Sequence, residues 1–362
     1  MACGDLYAYV IERSSLVNHP QGTCGMIVPI SITSTDGFGP LRELMNAWKK
    51  SIWTTSYAMR PGKLFDGVEK HLSIFLANNS TSGNFNGRYH RWNSEARKEL
   101  FDLIQYIPQD DQTLHNGSVP KIATLAEQSV LRKIKKEKAI GIHFRVNTSF
   151  TVYHTRKLRY FLQFLDQPPK IYDTKGNLRV TSELKSLYFD NEQEKYLASS
   201  IFLSSLFFWY YIVYSDCRNL NKREVESFPI QLECLIHNRK LIQLGISLQK
   251  KLQDDSVFQE ANYKKYGLLR MQVFSPRKTK SIIENRIERL LDGNYGDFKR
   301  LSNSPLSELR IHLNKGYRIY YKDLTNVIII IIAGGDKGNQ RRTIKQAENY
   351  LKDFIERNRK ND

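Results

Sequence analysis

The chain has 362 residues, 25% of them charged, and a formal net charge of +18. That length gives room for two or three domains, each with an ample core. Cys3, Cys24, Cys217 and Cys234 are not spaced as a metal knuckle or a CxxC pair, which argues against a disulfide scaffold or a zinc module and for free thiols in a reducing cytoplasm. The N-terminus has no basic region followed by an apolar run, so no signal peptide is expected. The most apolar stretch, Ile201–Tyr214, falls short of a bilayer span and reads as a buried helix; no membrane partner is expected. Residues 277–362 hold 19 Lys+Arg against 11 Asp+Glu, and residues 1–276 hold 36 against 26. Positive charge is therefore densest at the C-terminal end. It suits phosphate binding, and charge alone equally fits a merely soluble basic protein.

Taken in order, Asp5–Val17 reads as an amphipathic helix with Leu6, Val10, Leu16 and Val17 among its apolar positions. Gly25–Ile32 has the length of a strand, Pro40–Trp48 reads as a helix with proline in its first turn, and Ser51–Tyr57 and Leu72–Ala77 read as strands. Helix alternating with strand predicts an open α/β sheet.

GDLYAYVIERS, GMIVPISI, LREL and KLFDGVEKHLSIFLA in this segment resemble the second half of the catalytic domain of N6-adenine DNA methyltransferases. These are the restriction-modification enzymes with a C-terminal target-recognition domain. The resemblance implies a partial Rossmann-like sheet over residues 1–80. In that family the first half carries a Gly-rich loop for S-adenosylmethionine and an Asn-Pro-Pro-Tyr motif that holds the flipped target base. Here the one Pro-Pro is Pro168-Pro169, after Gln167, and Gly37-Phe38-Gly39 runs into a proline. The chain is thus expected to hold no cofactor by itself; S-adenosylmethionine would bind only where a partner chain supplies the missing half. Phe65 lies in the segment that gives the family a second aromatic wall for the base; without a partner chain it reads first as an ordinary core phenylalanine.

Next, Asn78–Gly87 reads as a polar loop, Ser94–Ile107 as a helix, Gln109–Pro120 as polar and Lys121–Glu137 as a helix ending in a charge run that usually marks a solvated face. Ala139–Phe144 and Phe150–Tyr153 read as strands. Arg156, Lys157, Arg159 and Lys170 then interleave with Tyr160, Phe161 and Phe164, a mixture that suits DNA contacts or a core strand with a charged outer face. A hairpin turn is expected at Asp173–Asn177, one buried helix over Glu194–Tyr214 and another helix over Gln231–Gln253. Ser204, Ser205, Leu206, Phe207, Trp209, Ser215, Asp216, Arg218 and Phe228-Pro229-Ile230 again resemble the recognition region of those methyltransferases. Residues 81–270 are therefore expected to be a mixed α/β target-recognition region with duplex DNA as ligand, and Phe65, Arg156, Arg159 and Arg218 are its candidate DNA contacts. The resemblance extends over about residues 4–284.

The stretch 271–297 reads as a seam. Beyond it, Thr279–Leu291 reads as a helix, Leu306–Leu313 and Gly316–Tyr321 as strands, and Val327–Ala333 as a β-branched central strand. The Gly334-Gly335 turn and a helix over Gln340–Arg357 follow, giving a small α+β domain over residues 271–362. GNYGDFKRL, SELRI, GYRIYY and IIAGGDKGNQRRTI resemble the RelE/HigB-type toxins of toxin–antitoxin systems, in the branch of phage-derived addiction-module killer proteins. That resemblance covers about residues 277–362. It implies an endoribonuclease acting on mRNA at the ribosome and a cognate helix-turn-helix antitoxin as partner.

RNA is cut when its 2′-OH attacks the adjacent phosphate, and guanidinium and ammonium groups can stabilise the dianionic centre. Lys299, Arg310, Arg318 and Lys337 are the candidates for that charge, with Tyr320 or Tyr321 for base stacking or phosphate bonding. Arg310 sharing a face with Glu308 leaves open an ion pair instead, and His312 reads as an acid or base or as a surface histidine. The toxin's first strand is expected from Leu268–Phe274 or is absent. The whole reads as an incomplete methyltransferase fused to a toxin. The alternatives are a methyltransferase component completed by another chain, or a non-catalytic DNA- or antitoxin-binding fusion.

Overall fold

The computed structural model describes residues 3–92, 94–102, 104–157, 162–179, 181, 183–263, 266–274, 287, 297–311, 317–324, 327–335 and 340–359. The chain forms two compact units, Met1–Phe274 and Ser275–Asp362. Both are mixed α and β. The regions expected at 1–80 and 81–270 lie within the first unit.

The first unit opens with α1 (Leu6–Val17), β1 (Cys24–Pro29), the short α2 (Ser31–Ser34), α3 (Gly39–Trp48), β2 (Ser51–Tyr57) and β3 (Leu72–Asn78). β1 ends at Pro29 rather than Ile32. Proline cannot donate to a ladder, and the Thr33 hydroxyl turns back onto the Ile30 carbonyl at 2.8 Å. β3 inserts between β1 and β2, antiparallel to both. β4 (Phe85–His90) adds parallel to β2, and β5 (Tyr106–Pro108) closes the sheet order β1-β3-β2-β4-β5. β4 begins inside the expected polar loop, and the expected helix Ser94–Ile107 reduces to a 3-10 turn at Ser94–Glu99 followed by β5. The extended Tyr-Ile-Pro end is what a residue preceding proline prefers. Ala8, Ile11, Val28, Leu41, Met45 and Phe75 form the core here. The apolar positions expected to be buried on α1 — Leu6, Val10, Leu16 and Val17 — are exposed instead.

α4 (Leu125–Ile134) starts at a capping box in which Thr124 and Glu127 satisfy each other's backbone. Its charge run is not wholly solvated, since Arg132 pairs with Asp110 and Lys135 reaches the Leu114 carbonyl. The expected strand Ala139–Phe144 is a 3-10 turn at Ile140–His143. Its backbone is taken by the segment before Ile230, with Ile140 donating to the Phe228 carbonyl at 2.8 Å and Ile230 to that of Lys138 at 2.9 Å. β6 (Phe150–Thr155) lies between β7 (Phe164–Leu165) and β9 (Leu184–Phe189), with β8 (Ile171–Tyr172) elsewhere.

In place of one helix over Glu194–Tyr214 there are two, α5 (Glu192–Phe202) and α6 (Ser205–Tyr214), bent by 64°. Ser204 breaks the run because its hydroxyl accepts from the Phe207 N–H and starts a new helix. Among the described residues no single helix is long and apolar enough to cross a membrane. This pair instead supplies Phe202, Phe207, Tyr210, Tyr211 and Tyr214 to the main core with Phe164, Phe189 and Phe228. Lys121, fully buried, donates to the Val213 and Ser215 carbonyls at 2.9 Å each and so closes the C-terminal end of α6.

After α7 (Lys222–Glu226), α8 (Arg239–Asp254) starts at Asn238, whose side chain accepts from the Leu241 N–H, and not at Gln231. α8 meets α5 through Gly245, where a Cβ would stand 2.0 Å from the Tyr196 carbonyl oxygen. β10 (Val257–Tyr263) and β11 (Gly267–Val273) form a hairpin that β8 joins. The segment expected to give the second unit its first strand is therefore paired within the first unit.

The second unit is an antiparallel sheet of β12 (Phe298–Arg300), β13 (Ser307–Ile311), β14 (Tyr317–Leu324) and β15 (Val327–Gly335), in that order, with a C-terminal helix over Gln340–Arg359. The β-branched run expected at the centre lies at the edge of these four described strands, and Gly334-Gly335 continues β15 instead of turning. Leu306, Tyr320, Ala347 and Leu351 make the core. The expected helix Thr279–Leu291 lies outside the described residues, Ile287 apart.

Candidate nucleic-acid sites

Register decides which charged side chains of the second unit meet. Lys299 stands opposite Glu308, Glu308 opposite Tyr320, and Arg310 opposite Arg318. Residues directly opposite, and residues two apart on one strand, share a face. Lys299, Glu308, Arg310, Arg318 and Tyr320 therefore lie on one side of the sheet.

Two arginines directly opposite each other repel unless a counter-charge lies between them. Glu308 supplies it. Its side chain is only 2% exposed, it accepts from Arg310 Nε at 3.0 Å and Gln340 Nε2 at 3.1 Å, and it faces Arg318 Nε at 3.4 Å. The ion pair left open by the sequence is thus made, and it involves both arginines. Arg310 stays 34% and Arg318 16% exposed, and Lys299 is exposed. Asp297, two residues before Lys299, accepts the Arg310 N–H at its carbonyl at 3.0 Å and brings a second carboxylate to this face; two guanidiniums and one ammonium still outnumber the two carboxylates, with planar donors fixed in place before any ligand arrives.

Tyr320 and Tyr321 are both buried. Tyr320 packs with Ala347 and Leu351, so in this structure its ring is a core element and not a stacking surface. Burial, and then the charge of Glu308, push its hydroxyl above the ordinary tyrosine range. Lys337 and His312 lie outside the described residues. Gln340 carries no local signal, since only the fold brings the start of the last helix to β13.

In the first unit a half-open pocket of about 420 Å³ is lined by Arg60, Arg91, Arg218, His71, Tyr89 and Cys217, among others. The loop after α6 presents Arg218. Asp216 accepts from the backbone N–H groups of Arg218 and Asn219 at 2.9 and 2.8 Å, and Cys217 takes a left-handed φ of 54°. Burial drives the His71 imidazole down to about 4, with Asp216 opposing and Arg218 and Arg91 adding to the shift. It is neutral at pH 7, and its Nδ1 lies 2.7 Å from the Tyr89 hydroxyl. Burial lifts the Cys217 thiol to about 11, so it is no thiolate nucleophile. Three arginines thus line the hollow, one of them, Arg60, paired with Glu69 at 3.5 Å, and positive charge gathers there.

Arg156 is brought toward the same loop. The Leu220 N–H donates to its carbonyl at 2.7 Å, and Lys157 bridges Asn219. Its side chain is exposed, as is that of Phe65, which is therefore not a core phenylalanine. Arg159 lies outside the described residues.

No family model matches the chain. A stretch of 71 residues, 20% of this chain, is 45% identical to an uncharacterized protein of Haemophilus influenzae and spans 71% of it. The chain belongs to that protein's family. The relative is about 100 residues long, since 71 residues are 71% of it, the size of a single small domain. No activity is attached to it, so the family membership brings none to this chain.

Proposed function

We propose that the second unit is an endoribonuclease of the RelE/HigB toxin type, carried by the DNA-binding part of an incomplete adenine-specific DNA methyltransferase. The observation that carries the reading is the face on which Arg310 and Arg318 pair with buried Glu308 while exposed Lys299 stands opposite it in register. Fixed guanidiniums and an ammonium suit a phosphate on which negative charge grows as a 2′-OH attacks, because they are oriented before the charge develops. mRNA on the ribosome is the substrate class and a helix-turn-helix antitoxin the partner, in a cytoplasmic setting.

For the first unit, duplex DNA is the ligand, met by Arg156, Arg218 and exposed Phe65. Support comes from the arginine-lined pocket, from the exposed apolar positions of α1 and from the open edge at β1. Exposed apolar side chains and an open sheet edge fit a half-sheet that a chain carrying the missing methyltransferase half would cover. S-adenosylmethionine belongs to that completed assembly.

The test is induced expression of the full chain in cells, with growth and new mRNA 5′ ends followed together. Arrest accompanied by new ends, both lost in Lys299→Ala, supports the reading. Growth without new ends at normal protein levels refutes it. Lys299 is chosen because it is exposed, so its loss leaves the fold intact.

A further inference from the structure

We propose that a second pocket of the first unit binds a planar heterocycle of about nucleobase size, held by the Asn86 carboxamide and the Arg42 guanidinium. The pocket, about 240 Å³, lies between α3 and the sheet. On the sheet side, Phe75, Thr54 and Asn86 stand opposite one another on β3, β2 and β4. On the helix side Arg42 faces inward from α3. Ile32, Met45 and Ile52 complete apolar walls. The mouth carries the Asn116-Gly117 turn, both residues in the left-handed region at φ 49° and 68°.

Two unmet demands point to a ligand. Asn86 is 1% exposed, yet neither its Oδ1 nor its Nδ2 has a hydrogen-bond partner. Arg42 is 7% exposed; its Nη1 donates to the Ile32 and Thr35 carbonyls at 3.0 Å each, while Nε and Nη2 have no partner. Buried polar atoms are almost always bonded, and an amide with both ends unmet is rare. Bridging water is the simplest alternative. At about 240 Å³ the pocket has room for a ring beside such water. It is smaller than the roughly 300 Å³ at which drug-sized pockets begin.

The chemistry selects the ligand class. A carboxamide offers one acceptor beside one donor, which matches the edge of a heterocycle carrying an adjacent donor and acceptor, as in asparagine pairing with adenine. The guanidinium then donates to a ring nitrogen or carbonyl, and the apolar walls take the flat faces. This site is separate from the pocket lined by Arg218 and does not depend on the proposed RNA chemistry.

The test is calorimetric titration of the full chain with free adenine, guanine, cytosine and uracil, with toluene as an apolar ring of similar width. At least one base is expected to bind below millimolar concentration, and toluene not to. Asn86→Leu should weaken that base tenfold or more while leaving the urea midpoint equal or higher, because it removes an unsatisfied buried amide. Asn86→Asp, closer in shape, is the second variant and should change the preference among bases, since it offers acceptors only. No base binding in the wild-type chain, equal binding of toluene, or base binding unchanged in both variants would overturn the proposal.

Discussion

Glu308 holds together the proposed catalytic face, and its energetics are open to a mutant cycle. Its carboxylate is 2% exposed and is shared by Arg310, Arg318 and Gln340. Removing one partner of a buried ion pair costs about 3–5 kcal/mol, because the remaining charge stays desolvated. Here the arginines are 34% and 16% exposed, so water screens part of that penalty and about 2–4 kcal/mol is expected for Glu308→Ala. Arg310→Ala/Arg318→Ala should cost a similar amount from the other side, leaving the carboxylate with Gln340. The triple variant carries neither stranded charge and should be more stable than the double by about 1–2 kcal/mol. Hydrogen exchange measured on peptides covering residues 306–324 of the full chain reads this directly, since opening free energies of core strands approach the stability of their unit. Simple additivity of the glutamate and arginine losses, with no recovery in the triple variant, would show that the three side chains do not act as one charge cluster.

Three further outcomes follow from the first unit. His71, His90 and His154 are each pushed by burial from 6.5 to about 4. The unfolded chain therefore binds their protons first, and the stability they confer as neutral groups is full above about pH 6.5 and lost as pH falls toward 4. Each contributes up to about 3 kcal/mol. Urea unfolding at pH 7 and pH 5 checks this, and equal stability at both would contradict it. Gly245→Ala places a methyl 2.0 Å from the Tyr196 carbonyl oxygen and must separate α5 from α8, a loss of about 3 kcal/mol or more; an unchanged urea midpoint would mean that the two helices do not meet as described. Arg218→Ala, at the arginine-lined pocket, should weaken duplex binding irrespective of sequence and lower the salt slope by about 1. An unchanged slope would remove Arg218 from the DNA contacts.

The legibility of the chain varied with how local the deciding interaction was. β2 is readable to the residue, because Ser51–Tyr57 is a short run rich in β-branched and aromatic side chains. The break between α5 and α6 is not, since the apolar run Ile201–Tyr214 masks Ser204, whose capping role depends on its hydroxyl meeting the Phe207 N–H. Ala139–Phe144 has strand composition, yet the Ile140 N–H goes to the Phe228 carbonyl, distant in sequence, and those of Ile142 and Phe144 close a local turn. Val327–Ala333 has the composition of a central strand and occupies the edge of the described sheet. At the candidate site, the alternation along β13 put Arg310 and Glu308 on one face from sequence alone. That Arg318 stands opposite Arg310 depends on strand register, and that Tyr320 is buried depends on the last helix. Arg42 and Asn86 carry no sequence signal at all, since only the packing of α3 on the sheet makes them neighbours of one pocket.

The most direct test of the central proposal uses the purified full chain, ribosomes and an mRNA whose cleavage site has been mapped, with and without a single 2′-deoxy substitution at that site. If the Lys299, Arg310 and Arg318 face promotes attack by the RNA's own 2′-OH, the all-ribose message is cut to a 2′,3′-cyclic phosphate end. The substituted message then survives, and Lys299→Ala loses the cut. An intact all-ribose message in the presence of well-folded protein, or equal cleavage of the deoxy-substituted one, would contradict the account.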